Sequence, residues 1–387
     1  MTNDVLALYV HWPFCVSKCP YCDFNSHVRD SVDQHAWREA LLADLAHEAA
    51  LLPGRRLTSV FFGGGTPSLM DPCTVEAVVT AAAKHWRAAN DIEITLEANP
   101  NSVEAGRFAE LAGAGVNRLS LGLQSFDDKA LTFLGRAHSA REGFRALEIA
   151  QKTFTQVSFD LIYALPGDSV DGWSATLGQA LSLGTSHLSL YQLTIEPGTR
   201  FASMVARREL EPLDADASAI LYETTDVMAS AAGLPSYEIS NYSRPGRESR
   251  HNLTYWRYGD YAGIGPGAHG RRLGMRTVRH RKPENFLSGL ARNGHGIAEE
   301  ALLSMPEAAD EALVMGLRLG EGIDADAIAA RFGFGRIVDW SRVDALVRSG
   351  HLERHGMRIK LTAAGRLVLD YILGEIAVSN SRVLAVG

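Results

Sequence analysis

Six apolar, β-rich runs that alternate with helix-length stretches constrain this chain more than any other feature. The runs are LALYVHW (6–12), SVFFGGG (59–65), IEITLEANP (92–100), RLSLGLQS (118–125), VSFDLIYALPG (157–167) and HLSLYQLTIEPG (187–198). Between them lie alanine- and leucine-rich segments such as 34–52, 74–86 and 140–153, each long enough for a helix. Strands alternating with helices argue for a parallel sheet. The runs read as apolar on both faces, as expected of strands covered on both sides. Six such units predict an α/β fold built on a partial (β/α)6 TIM-like barrel, with a doubly wound sheet as the alternative. Polar, charged or glycine residues are expected at the C-terminal ends of the runs: Gly63 to Thr66, Glu97, Gln124, Asp160 and Glu196. In parallel α/β folds that end carries the chemistry.

The pattern changes past residue 235, so the barrel core is expected over 1–235. The segment 236–299 is rich in aromatics, glycine and arginine and reads as an irregular connection. From 300 to 387 the chain reads as a smaller α+β domain. Helices at PEAADEALVMGLRLGEGID and SRVDALVRSG precede a hairpin with RHGM at its tip and a further helix. Helices followed by a small hairpin suggest a winged-helix-like module. Such modules often bind DNA, but fold does not fix function. No basic stripe marks this one and the formal net charge is -7, so no nucleic-acid partner is expected and a lid or interaction role is favoured. No apolar run approaches the length of a membrane span. The start, MTNDVLALYV, lacks the basic region of a secretory signal, so a cytoplasmic location is expected.

The chain holds only four cysteines, and three of them, Cys15, Cys19 and Cys22, stand in C-x3-C-x2-C spacing. This is not a disulfide framework. Thiolates bind zinc and iron–sulfur clusters. A closed zinc site wants four ligands, often in two half-sites, and no second C-x-x-C follows; His27 is the one nearby fourth donor. Three thiolates on a 4Fe-4S cube leave one iron open to a small molecule. The cluster reading is preferred, zinc is the alternative, and three buried structural cysteines fit poorly in a polar, proline-bearing loop. Cys73, outside the set, opens a helix and is assigned no function.

The cysteine spacing, with Tyr21 just before the third cysteine, resembles the radical SAM superfamily. The resemblance implies a 4Fe-4S cluster on Cys15, Cys19 and Cys22, with S-adenosylmethionine (SAM) on its open iron. FFGGGTP follows the second strand and resembles the superfamily's GGT segment, which implies that Gly64, Gly65 and Thr66 approach the methionine part of SAM. Further matches follow the order of the coproporphyrinogen-oxidase-like branch. Tyr9, Glu97 in LEANP, Gln124 in SLGLQSF, Arg136 in LGRAH and Asp160 in FDLIYALPG are implied to hold SAM, with Thr194 on the adenine side. Taken singly, each has a plainer reading as a helix cap or a loop salt-bridge partner.

The resemblance covers residues 5 to 375 and points to two related families. One is the oxygen-independent coproporphyrinogen III dehydrogenase, whose cluster motif runs on to a fourth cysteine. Here that position is Phe24. The sequence also starts 14 residues before Cys15 and leaves no room for the dehydrogenases' N-terminal extension. The other is the HemW heme chaperone family, whose HN-x-x-Y(W) motif is matched by RHNLTYW, 250–256. This resemblance implies heme contact at His251, with Tyr255, Trp256 and Tyr258 facing the porphyrin and Arg250 and Arg257 meeting its propionates. The plainer reading is that His251 and Asn252 hold a loop and the aromatics pack the barrel mouth. His269, in the glycine-rich GIGPGAHG turn, is a second heme candidate. The expected function is therefore a heme chaperone with heme, cluster and SAM as cofactors. Its expected partners are an electron donor such as flavodoxin or ferredoxin and heme-accepting membrane or respiratory proteins. The alternative is SAM-dependent oxidative decarboxylation of coproporphyrinogen III.

Overall fold

The computed structural model describes residues 4–378. Six strands lie side by side in chain order: β1 Val5–Trp12, β2 Arg56–Gly64, β3 Arg87–Ala98, β4 Arg118–Gln124, β5 Gln156–Tyr163 and β6 His187–Gln192. All five neighbouring pairs are parallel. A doubly wound sheet needs a reversal of strand order; the sequential order here makes an open, partial barrel. The crossovers include the helices Gln34–Leu51, Pro72–His85, Ala140–Thr153 and Val170–Ser182. Their starts are written locally. Asp33 accepts from the Ala36 N–H, and Ser139 with Glu142 forms a reciprocal capping box.

The strands are not apolar on both faces. Leu6, Leu8 and Val10, then Val60 and Phe62, Ile94 and Leu96, Leu119 and Leu121, Phe159 and Leu161, and Leu188 and Leu190 all belong to the main buried core. The alternate positions carry Tyr9, Ser59, Glu93, Thr95, Glu97, Arg118, Ser120, Ser158, Asp160 and Ser189. Side chains alternate along a strand, so this second set shares the barrel's inner face. It is laced by hydrogen bonds: Ser120 to Ser158 at 3.0 Å, Ser120 to Asp160 at 3.2 Å, and Arg118 to Glu93 at 3.5 Å. The interior is a polar chamber.

The segment 236–299 is not irregular. β7 Asn241–Ser243 pairs antiparallel with β6 and ends one side of the sheet. β8 Asp260–Ile264 adds to β1 in parallel on the other side, and β9 His269–Arg272, β10 Met275–Arg279 and β11 Ile297–Leu302 continue it as an antiparallel meander. The sheet thus has 11 strands in the order β11-β10-β9-β8-β1-β2-β3-β4-β5-β6-β7. Buried charge fastens the meander to the first long helix. Arg279 meets Asp44 at 3.2 Å and Glu48 at 2.6 Å, all three with no exposed side chain, and Arg272 meets Glu48 at 2.7 Å. Asp44 also accepts the N–H groups of Gly265 and Gly296.

A second core serves the C-terminal part. Helices Met305–Leu317, Ala325–Phe332 and Trp340–Arg348 precede a hairpin, Leu352–His355 with Arg358–Leu361, to which Ile323–Asp324 adds a third strand. Two short helices end it, Ala363–Arg366 and Leu369–Ile376. The expected winged-helix-like order is present; residues 379–387 of that expectation lie outside the described residues.

Candidate functional site

The cysteine loop crosses the C-terminal mouth of the barrel. Its ends are tied by a two-residue parallel pairing, Phe14–Cys15 with His27–Val28. Cys15, Cys19 and Cys22 are free thiols, each partly exposed. Two receive hydrogen bonds from elsewhere in the barrel: Thr66 Oγ1 donates to Cys15 Sγ at 3.4 Å, and Arg136 Nη1 to Cys19 Sγ at 3.5 Å. Burial pushes the Cys15 thiol up, and the Thr66 donor works against that shift. His27 does not join them, because its ring faces the Arg281 carbonyl at 3.3 Å. Among the described residues no three His, Cys, Asp or Glu side chains converge on a single-ion site. Cys73 is exposed and faces Arg38, away from the loop.

The glycine turn at the end of β2 lies under this loop. Gly64 has φ +114°, and a Cβ there would stand 2.6 Å from the His11 ring. A Cβ at Gly65 would stand 2.7 Å from the Phe14 carbonyl oxygen and 3.0 Å from Cys15 Sγ. Only glycine admits this approach of turn to loop.

Several of the SAM candidates are held by hydrogen bonds at the strand ends. The Gly64 N–H donates to Glu97 Oε2 at 3.2 Å. Asn99 donates to Thr66 Oγ1 at 3.2 Å and accepts from Arg136 at 2.5 Å, and Arg136 also donates to the Gly122 carbonyl. Gln124 closes β4 with φ +66°, its Oε1 buried without a partner among the described residues, as is Arg136 Nε. Burial, with the Asp160 charge added, pushes the Glu97 carboxyl up to about 8. Burial likewise pushes Asp160 up to about 6, against hydrogen bonds from Ser189 and Ser120. Two candidates differ from expectation. Asp160 lies in the middle of β5, facing inward, and not at its end. Thr194 stands exposed in the loop after β6. Asn99 was missed, although it sits two residues past Glu97 in the same LEANP stretch.

RHNLTYW forms the helix Arg250–Trp256, with none of its residues fully buried. Its N-terminus is held by Glu93 from inside the barrel. Glu93 Oε1 accepts from Ser249 Oγ at 3.3 Å and His251 N at 3.2 Å, and Oε2 accepts from Arg250 N at 3.2 Å. His251 stacks on Phe61 at 4.9 Å, and its Nδ1 faces Ser59 Oγ at 3.4 Å. Its Nε2 has no hydrogen-bond partner among the described residues. Burial lowers this imidazole to about 4, so it is neutral near pH 7.

A cavity of about 410 Å3 connects that helix to the cysteine loop. Its walls include Tyr9, His11, Phe24, His251, Tyr255 and His269. The two candidate imidazoles therefore share one space, and Phe24 is a wall of it. Four other candidates do not line it. Tyr258 is buried, with the Arg271 guanidinium 3.6 Å over its ring and its hydroxyl donating to Glu311 of the C-terminal part. Trp256 packs edge-on against Tyr255. Arg250 pairs with Asp91 at 2.7 Å, and Arg257 pairs with Glu321 at 2.7 Å. The stretch after the third cysteine supplies unexpected members. Asp23 lines the cavity, and Asn25 lines it while its amide donates to the carbonyls of Pro266 and Arg281, both at 2.9 Å.

The description Radical SAM superfamily matches residues 9–180, and HemN C-terminal domain matches 303–368. The chain is 38% identical over 376 residues to the Heme chaperone HemW of Escherichia coli (strain K12), covering 95% of this chain and 97% of that one. The chain belongs to the radical SAM superfamily, in the HemN-like branch close to HemW. The Heme chaperone HemW of Mycobacterium tuberculosis (strain CDC 1551 / Oshkosh) is 36% identical, over 96% of this chain and 95% of its own. The mitochondrial Radical S-adenosyl methionine domain-containing protein 1 of Bos taurus is 43% identical over 82% of this chain and 74% of its own. The solved radical SAM enzyme Coproporphyrinogen III oxidase (HemN) from Escherichia coli has the same fold, with a TM-score of 0.79 at 22% identity, over 95% of this chain and 89% of its own. No helix among the described residues is long and apolar enough to cross a membrane.

Proposed function

We propose that this chain is a heme-handling protein that binds heme in the cavity between the cysteine loop and the helix Arg250–Trp256, and that it carries a 4Fe-4S cluster and SAM. The observation that carries the reading is Phe24. It stands where the dehydrogenase pattern has its fourth cysteine, and it lines the cavity that also holds His251 and His269. The superfamily's 4Fe-4S cluster would sit on Cys15, Cys19 and Cys22, which would hold three of its irons and leave the fourth without a protein ligand. When bound, cluster and SAM supply one-electron chemistry. The chain's own part is to seat SAM between Gly64, Gly65, Thr66, Glu97, Gln124, Arg136 and Asp160, with Tyr9 at the boundary between the two sites. His251 offers an unpartnered, neutral Nε2, the state an axial iron ligand needs. The names of the HemW relatives support heme as cargo; its acceptors would be heme-accepting membrane or respiratory proteins.

The test is a pair of measurements on anaerobically reconstituted protein. Heme titration should give a saturable Soret band that weakens and shifts in His251→Ala. Incubation with coproporphyrinogen III, SAM and a strong reductant should leave the substrate unchanged by mass. Mono- and didecarboxylated products would replace this reading with the dehydrogenase. Heme uptake no stronger than that of an unrelated protein would remove it.

A further inference from the structure

The arginines that sequence reasoning assigned to carboxylate recognition are already paired, which leaves the cavity's charge unexplained. One guanidinium does line it, that of Arg281, just past β10. Arg281 is exposed and its side chain makes no ion pair or hydrogen bond among the described residues. The arginines around it are engaged: Arg29 pairs with Glu284 at 2.6 Å and Arg276 with Glu299 at 3.2 Å. Its backbone is nevertheless fixed. The Arg281 carbonyl accepts from Asn25 Nδ2 at 2.9 Å and faces His27 Nε2 at 3.3 Å, so the cysteine loop itself places this residue. The charge it brings is felt across the space, since it helps to lower both His11 and His269 after burial has acted.

We propose that Arg281 is the carboxylate-recognition residue of this cavity, taking a propionate-type carboxylate of a planar macrocycle whose centre faces His251. The inference rests on the heme-binding reading above. A planar guanidinium pairs with a carboxylate through two parallel N–H donors. Asp23 lines the same cavity and, like Arg281, makes no ion pair among the described residues, so the described walls offer one charge of each sign. A carboxylate is drawn to Arg281 and kept off Asp23, which sets the macrocycle's rotation in its own plane.

The experiment compares heme with its dimethyl ester, which has the same ring and iron and no carboxylate charge. Both are titrated into full-length wild type, Arg281→Ala, Arg281→Lys and Arg257→Ala, following the Soret band. Wild type should prefer heme by about tenfold, the size of one charge-assisted pair at a solvent-open site. The preference should shrink with added salt. Arg281→Ala should lose the preference with its Soret position unchanged, Arg281→Lys should keep part of it, and Arg257→Ala should keep all of it. An Arg281→Ala protein that still prefers heme over the ester as wild type does overturns the inference alone. A wild type that binds neither compound overturns the inference together with the heme reading.

Discussion

The short helix that carries His251 depends on one buried carboxylate, and replacing Glu93 with glutamine isolates that dependence. The substitution keeps volume, so no cavity opens. It turns one acceptor oxygen into an NH2 donor. In wild type both oxygens are committed: Oε1 to Ser249 Oγ and His251 N, Oε2 to Arg250 N and Arg118. Turned toward Ser249, the new NH2 can be accepted by that hydroxyl, but the His251 N–H then loses its acceptor. An orphaned buried donor costs about 1–3 kcal/mol. Arg118 also loses its anionic partner, a loss softened because it still donates to Gln156 Oε1 and the Arg247 carbonyl. Together these come to about 3 kcal/mol, equivalent to roughly 100-fold in an opening equilibrium. A seven-residue helix with no fully buried side chain cannot absorb that by itself. Hydrogen exchange should therefore show protection lost across 249–258 while β1 to β6 keep theirs, and heme affinity should fall with it. Protection within threefold of wild type over that helix, or an equal loss over the whole barrel, would refute the reasoning.

Three further outcomes follow from the same structure. Asp44→Asn should lower global stability by about 3 kcal/mol in urea unfolding, because it removes the charge that Arg279 pairs with and turns one acceptor oxygen into an amide donor, facing either the Gly296 N–H or the Gly265 N–H and Arg279; a change under about 1 kcal/mol would mean the meander is fastened by something else. Glu97, raised to about 8, binds protons more tightly folded than unfolded, so its contribution to stability declines as pH rises from its unfolded value through about 8. The Glu97→Gln protein should show a flatter stability profile than wild type across that window, and identical profiles would contradict the assignment. Gly65→Ala puts a methyl within 3.0 Å of Cys15 Sγ and should reduce iron and sulfide per chain after reconstitution, whereas Cys73→Ser should not.

Phe24 shows how an absence in a motif becomes informative only in three dimensions. From sequence it is merely where a cysteine is missing. In the fold it is 62% exposed and walls a cavity whose far side comes from residues more than two hundred positions away. The polar inner face of the barrel is legible in the sequence. RLSLGLQ and IEITLEA alternate strictly, and period-two alternation means one face is polar. The expectation of strands apolar throughout rests on the usual burial of parallel strands on both faces, which this polar chamber breaks. The extension of the sheet to eleven strands was hidden for a different reason. Its strands are short and rich in glycine and arginine, and the apolar pattern that marks a strand is replaced by the Asp44–Glu48–Arg272–Arg279 network.

What the sequence determines by itself is local or periodic. The six βα units follow from hydrophobic patterning, and the cysteine loop, the glycine turn and the HN-x-x-Y helix are contiguous segments whose chemistry lies in their spacing. Tertiary structure decides what those segments face. Arg250, Arg257 and Arg281 are equivalent as letters, each a cation near aromatic residues. Asp91 and Glu321 occupy the first two, while Asn25 and His27 pin the backbone of the third and leave its guanidinium free. Whether a charge is available depends on which opposite charge the fold brings within reach. Coulomb attraction falls with distance in space, and distance along the chain does not report it.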